Sequence, residues 1–211
     1  MRVVLAHGWG FGPDLWDAVA SFLVGYDICR LDNGYFGGRR IGSPKEAHIL
    51  VGHSAGVMEA LLTPASGRRG LLSINGFPRF TQAATYEYGT PMRVLTRMQA
   101  AFVRDPDAVL RDFRARCGVT GDWSGAPDAR RLGDGLAELA TGDGRAGLEA
   151  CPVVALAGRQ DTIVPPTLTD AAFARHHVDW ISDGGHMLPL THPQACAESI
   201  RAFHARACAT I

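Results

Sequence analysis

Six short apolar runs, rich in β-branched residues and bounded by Gly, Asp or Pro, recur along the chain at 2–6, 26–31, 48–52, 70–74, 152–157 and 178–181. Runs this short and this continuously apolar suit strands covered on both faces, the pattern of a buried, largely parallel sheet. Most are separated by stretches with helical spacing. Residues 14–23 place Leu15, Trp16, Val19, Phe22 and Leu23 on one helical face, and 56–62 follow the third run in the same way. Strand and helix in alternation define an α/β domain with a mostly parallel central sheet of about six strands flanked by helices.

One interval breaks the rhythm. Between the runs at 70–74 and 152–157 the chain is far longer than the roughly 10–15 residues of a crossover helix. Its segments 90–104, 106–117 and 127–140 have helical periodicity, with Pro106 and Pro127 near helix starts. The expected organisation is a core of 1–76 and 151–211 with a helical cap or lid, 77–150, inserted after the fourth strand.

Composition removes several function classes. With 211 residues, 46% hydrophobic, the chain can bury one sizeable core. Lys+Arg 21 against Asp+Glu 21 leaves no basic footprint for nucleic acid or a membrane surface. The apolar start before His7 is too short for a signal peptide and no run approaches bilayer length, so the chain reads as soluble and cytoplasmic. Cys29, Cys117, Cys151, Cys196 and Cys208 are scattered without a C-x-x-C pair, which fits reduced thiols rather than disulfides or a metal site.

The third run enters Gly52-His53-Ser54-Ala55-Gly56, a G-x-S-x-G between strand and helix, where small residues let a serine project from a tight turn. Alone the motif is weak: with 25 glycines and 8 serines, about one shuffled chain in ten would contain it by chance. Its context strengthens it. The first run delivers His7-Gly8-Trp9-Gly10, whose backbone can supply half an oxyanion hole, with the N–H of Ala55 as the other half. Asp161 follows the fifth run and His186 the sixth, on Asp183-Gly184-Gly185-His186. In that order, Ser54 would be a nucleophile, His186 its base and Asp161 the acid that fixes the imidazole. Rival histidines (His176, His177, His192, His204) and acids (Asp170, Asp183) lack this placement, Asp32-Asn33-Gly34 reads as a turn, and His7 and His53 read as braces of the site loops.

On these motifs the sequence resembles the α/β-hydrolase family over essentially its whole length. Within it, His7-Gly8-Trp9-Gly10, Asn75-Gly76-Phe77-Pro78-Arg79-Phe80, the insertion, and the closing segment from Gly185-His186-Met187-Leu188 to Thr191-His192-Pro193 are similar to the pimeloyl-[acyl-carrier protein] methyl ester esterases of biotin synthesis. The resemblance implies a serine carboxylesterase with catalytic Ser54, Asp161 and His186, an oxyanion hole of Trp9 and Ala55 N–H groups, and no metal or organic cofactor. A short-chain esterase, lactonase or thioesterase working without a carrier fits the same triad, and a non-catalytic ligand-binding module is the third reading. The antiparallel strands that precede HG-x-G in the family have no counterpart before residue 2, so the strand at 26–31 is expected at a sheet edge, where a second copy could pair; the chain is read as a monomer or a homodimer.

Trp9, Phe77, Phe80, Met187 and Leu188 flank the expected site, either as walls of an acyl pocket or as plain core. Between residues 79 and 116, seven arginines (Arg79, Arg93, Arg97, Arg104, Arg111, Arg114, Arg116) face four acids (Glu87, Asp105, Asp107, Asp112). Such an excess can dock an acidic acyl carrier protein, with Arg93, Arg97 and Arg111 as docking residues; a solvated helix face is the alternative.

Overall fold

The computed structural model describes residues 1–38, 40–63 and 66–209. Six strands form one sheet: β1 (Arg2–Ala6), β2 (Ile28–Arg30), β3 (His48–His53), β4 (Arg68–Ile74), β5 (Val153–Gly158) and β6 (His177–Ile181). Their order is β2-β1-β3-β4-β5-β6 and every pairing is parallel. Val3, Val4, Leu5, Ile49, Val51, Leu71, Leu72 and Ile74 are fully buried, as strands covered by helices on both faces require. This is the α/β architecture that the alternation of runs predicts.

Strand β2 is half the length of its apolar run. It lies at the sheet edge, and Asp27, just before it, turns outward to Arg2 at 2.9 Å while Arg30 pairs with Asp17. Charges in those positions blunt an edge against further pairing. The segment expected to be one helix over 14–23 is a 3₁₀ turn (Pro13–Trp16) running into α1 (Asp17–Ser21). The α2 helix (Ala55–Leu62) starts directly at the serine turn.

Between β4 and β5 the chain forms α3 (Met92–Arg104), α4 (Pro106–Arg116), α5 (Ala129–Thr141) and a 3₁₀ turn (Arg145–Ala150). Asp105 ends α3 and caps α4, its Oδ1 accepting the Ala108 N–H at 2.9 Å, with Pro106 in the first turn where no N–H is needed. Asp128 caps α5 the same way through the Arg131 N–H. Leu95 and Phe102 of α3, Leu110 of α4, and Leu132, Leu136 and Leu139 of α5 join the main core. After β5 come α6 (Pro166–Ala172), then, after β6, α7 (Leu188–Thr191) and the long α8 (Pro193–Ala209). All five cysteines are free, and among the described residues no helix is long and apolar enough to cross a membrane.

Candidate active site

Ser54, Asp161 and His186 follow β3, β5 and β6 and meet at the carboxyl edge of the sheet. Ser54 sits between strand and helix at φ 54° and ψ −127°, a backbone that a side chain rarely adopts. Such strain persists only where the surroundings enforce it. Here they do: a Cβ on Gly56 would lie 2.6 Å from the His7 carbonyl oxygen, and one on Gly8 would lie 2.8 Å from the Ser54 Cβ. Glycine at both positions lets the β1 and β3 turns close on each other around the hydroxyl.

His186 Nε2 lies 3.1 Å from Ser54 Oγ, and its Nδ1 lies 2.8 Å from Asp161 Oδ2. The other Asp161 oxygen accepts the N–H groups of Ile163 and Val164, both at 2.8 Å. A carboxylate held from both sides fixes the imidazole with its proton on Nδ1, leaving Nε2 to accept the serine proton. All three residues are less than 7% exposed, so their contacts lie in a low-dielectric setting.

Two further residues hold the histidine loop. Asn75, at φ 46° just after β4, donates from Nδ2 to the carbonyls of Gly185 (2.7 Å) and His186 (2.8 Å) and accepts the Gly158 N–H on Oδ1 at 2.8 Å. It thereby ties the His186 loop to β5, which carries Asp161. His53 donates from Nε2 to the His186 carbonyl at 2.9 Å, leaving Nδ1 without a partner. Complete burial, reinforced by the neighbouring His186, lowers its pKa to about 3, so it stays neutral. His7 links Gly8 and Asn33: Nδ1 donates to the Gly8 carbonyl at 2.9 Å and Nε2 accepts the Asn33 N–H at 3.2 Å. Both histidines thus brace loops, as expected of them. The sequence signal for the role of Asn75 is an asparagine directly after a strand, where left-handed backbone is tolerated.

None of the rival residues reaches the serine. His192 lies 3.4 Å from Asp183, His177 pairs with Asp179, and His204 bonds the Met1 carbonyl. Asp32 accepts the Gly34 N–H at 2.7 Å and makes the turn read from its sequence.

Residues 28–199 match the model of the alpha/beta hydrolase family. The chain belongs to that family. Relatives of this hydrolase include the pimeloyl-[acyl-carrier protein] methyl ester esterase of Methylococcus capsulatus, 31% identical over 96% of this chain and 94% of the relative, and its namesake in Aromatoleum aromaticum, 29% identical over 92% and 94%. Among solved structures, an esterase from Exiguobacterium antarcticum superposes with a TM-score of 0.78 over 96% of this chain and 91% of the other, at 17% identity.

Above the serine of the hydrolase lies a cavity of about 250 Å³ lined by Trp9, Ser54, Ala55, Phe77, Phe80, Val94, Leu95, Met98, Phe113 and Leu139, among others. Trp9, Phe77 and Phe80 are therefore pocket walls. Met187 and Leu188 are not: both are buried in the core, Leu188 against Gly184, where they anchor the start of α7 directly after His186. Local sequence around a site residue does not distinguish the side chains that face the cavity from those that pin the loop from behind. The Trp9 indole donates to the Leu132 carbonyl of α5 at 2.8 Å and packs edge-on against Phe113 of α4 at 4.9 Å and Phe102 of α3 at 6.2 Å, so the turn that carries Trp9 is fastened to all three helices.

The arginine excess divides in two. Arg93 and Arg97 of α3 and Arg111 of α4 are exposed, Arg111 stacking over Trp123 at 5.4 Å. Arg79 and Arg114 turn inward instead. Arg79 pairs with Asp143 at 2.9 Å, and Arg114 donates to the Gly10 carbonyl at 3.0 Å with its guanidinium over Phe11. Those two charges serve the structure and do not belong to a docking face.

A second polar cluster lies behind the site. Glu59 of α2 accepts from Asn33 Nδ2 at 2.5 Å and from the Tyr35 hydroxyl at 3.3 Å. Burial pushes its carboxyl up to about 7. Helical spacing alone gave no sign of it.

Proposed function

We propose that this hydrolase is a serine carboxylesterase that cleaves the methyl ester of a pimeloyl chain, or a similar acyl chain, held on an acyl carrier protein. The observation that carries the reading is the buried chain of contacts from Asp161 through His186 to Ser54 at the floor of an apolar cavity. His186 Nε2 takes the Ser54 proton as Oγ attacks the ester carbonyl. The oxyanion is received by the backbone N–H groups of Trp9 and Ala55, and Asp161 stabilises the imidazolium. The imidazolium then gives its proton to the methoxide oxygen as the C–O bond breaks, releasing methanol and leaving the acyl-serine. Water, activated by the same His186, attacks the acyl-serine, and the free acid leaves with Ser54 regenerated.

In this reading residues 77–150 act as a cap, whose helices roof the serine and set which acyl chains fit. The relatives named above support a carrier-bound methyl ester, and the exposed Arg93, Arg97 and Arg111 offer positive charge to an acidic carrier. The test is kcat/KM for methyl-pimeloyl acyl carrier protein beside p-nitrophenyl butyrate. Strong preference for the carrier ester supports the reading. Turnover of the small ester alone would leave a general esterase without a carrier.

A further inference from the structure

The serine cavity adjoins a second space between the helices. It shares Val94, Met98, Phe113 and Arg116 with an outer groove of about 420 Å³ between α3 and α4. Val94 and Met98 of α3 and Phe113 of α4 therefore form the apolar boundary between the cavity and the groove. Arg116, at the last turn of α4, stands where the two spaces join, and it is the only charged residue lining the inner cavity among those described.

Its charge is also unspent. Several arginines have partners, among them Arg79 and Arg145, which share Asp143, Arg131, which pairs with Asp128, and Arg114, which bonds a carbonyl. Arg116 has no ion pair or hydrogen bond among the described residues. Asp112, one turn earlier on α4, lines the outer groove but not the inner cavity and forms no ion pair with Arg116. An uncompensated guanidinium at the neck of an otherwise uncharged cavity attracts one kind of group, an anion on the same molecule whose ester reaches Ser54.

We infer that Arg116 is a specificity-determining residue that binds an anionic group at the end of the acyl chain remote from the scissile ester. The inference rests on the reading of Ser54 as nucleophile and deepens it. Two sources share this chemistry: the carboxylate of a dicarboxylic half-ester, and the phosphate of a carrier's arm.

The experiment measures kcat/KM for two substrate pairs. One pair is monomethyl heptanedioate and methyl heptanoate; the other is the methyl-pimeloyl thioesters of 4′-phosphopantetheine and of pantetheine. Each pair differs chiefly in one anionic group. The wild type is expected to favour the anionic member of at least one pair by roughly tenfold, through KM and decreasingly with added salt. The pair that shows it identifies the source. Arg116→Gln is expected to bring that ratio near one, and Arg116→Lys to keep part of it. A wild-type ratio near one in both pairs, or a ratio unchanged by Arg116→Gln, overturns the inference while Ser54→Ala remains inactive on all four esters. Persistent cleavage by Ser54→Ala would bring down the nucleophile reading and this inference with it.

Discussion

The carboxyl edge of the sheet and the helices above it are built on opposite terms. At the edge the polar side-chain atoms around Ser54 are answered: both Asp161 oxygens accept bonds, both His186 nitrogens have partners, and Asn75 and His53 hold the loop from behind. On α3 and α4, by contrast, Arg93, Arg97 and Arg116 are exposed with no acidic partner among the described residues. The difference separates two tasks. Chemistry needs groups fixed within a fraction of an ångström, which strand ends and buried hydrogen bonds supply. Selection of a partner needs unpaired charge that remains available to an incoming molecule.

Substitutions on the two sides should therefore fail differently. The largest expected effect is at the edge. Ser54→Ala should reduce kcat by about 10⁴-fold or more on every ester, large or small, without altering the thermal midpoint much. Asp161→Asn, which keeps the shape but favours the wrong imidazole tautomer, should cost about 10³–10⁴-fold. A loss that depended on the substrate would break the division between the two regions. Asn75→Ala removes the tie between the His186 loop and β5 without touching substrate; kcat should fall by roughly 10- to 100-fold with KM little changed, together with a stability loss of about 1–3 kcal/mol. On the helices, joint reversal of Arg93, Arg97 and Arg111 to Glu should lower the ratio of carrier-ester to p-nitrophenyl butyrate turnover by about tenfold, an effect that weakens at high salt. Equal loss on both substrates would refute docking.

The smallest effect lies behind the site and appears in stability. Glu59 titrates near 7 in the folded protein against an ordinary value near 4.5, so the folded state holds its proton where the unfolded chain has lost it. Its stabilising contribution is full below about pH 4.5 and disappears as pH rises through about 7. His53 acts in the opposite sense: with a folded value of about 3, its contribution is full above about 6.5 and is lost on acidification. Glu59→Gln should consequently gain on the wild type between pH 5 and pH 8, by roughly 1–3 kcal/mol in denaturant melts. A constant difference across that range would exclude the titration of Glu59 as the cause.

The same contrast explains what could be read from the sequence. Strand ends are written locally, as apolar β-branched runs closed by Gly or Asp, so the placement of Ser54, Asp161 and His186 at one sheet edge is legible before any packing is known. The strand β2 falls short of its run because an edge strand has one neighbour and Asp27 is drawn to Arg2. Directions of side chains from a loop are not local, which is why Met187 and Leu188 read as pocket walls although they are core. Nor does counting charges between residues 79 and 116 reveal which arginines face inward; Arg79 and Arg114 do so because Asp143 and the Gly10 carbonyl, distant in sequence, wait there. Asn75 and Glu59 act through partners far along the chain, and periodicity carries no trace of such contacts.

The most direct test of the account is the covalent state of Ser54. Treatment with a fluorophosphonate ester, followed by intact-mass and peptide mass spectrometry, should place a single phosphonyl adduct on the peptide containing Ser54 and none on the Ser54→Ala variant. An unmodified wild type, or an adduct on another residue that persists in the variant, would contradict Ser54 as the nucleophile.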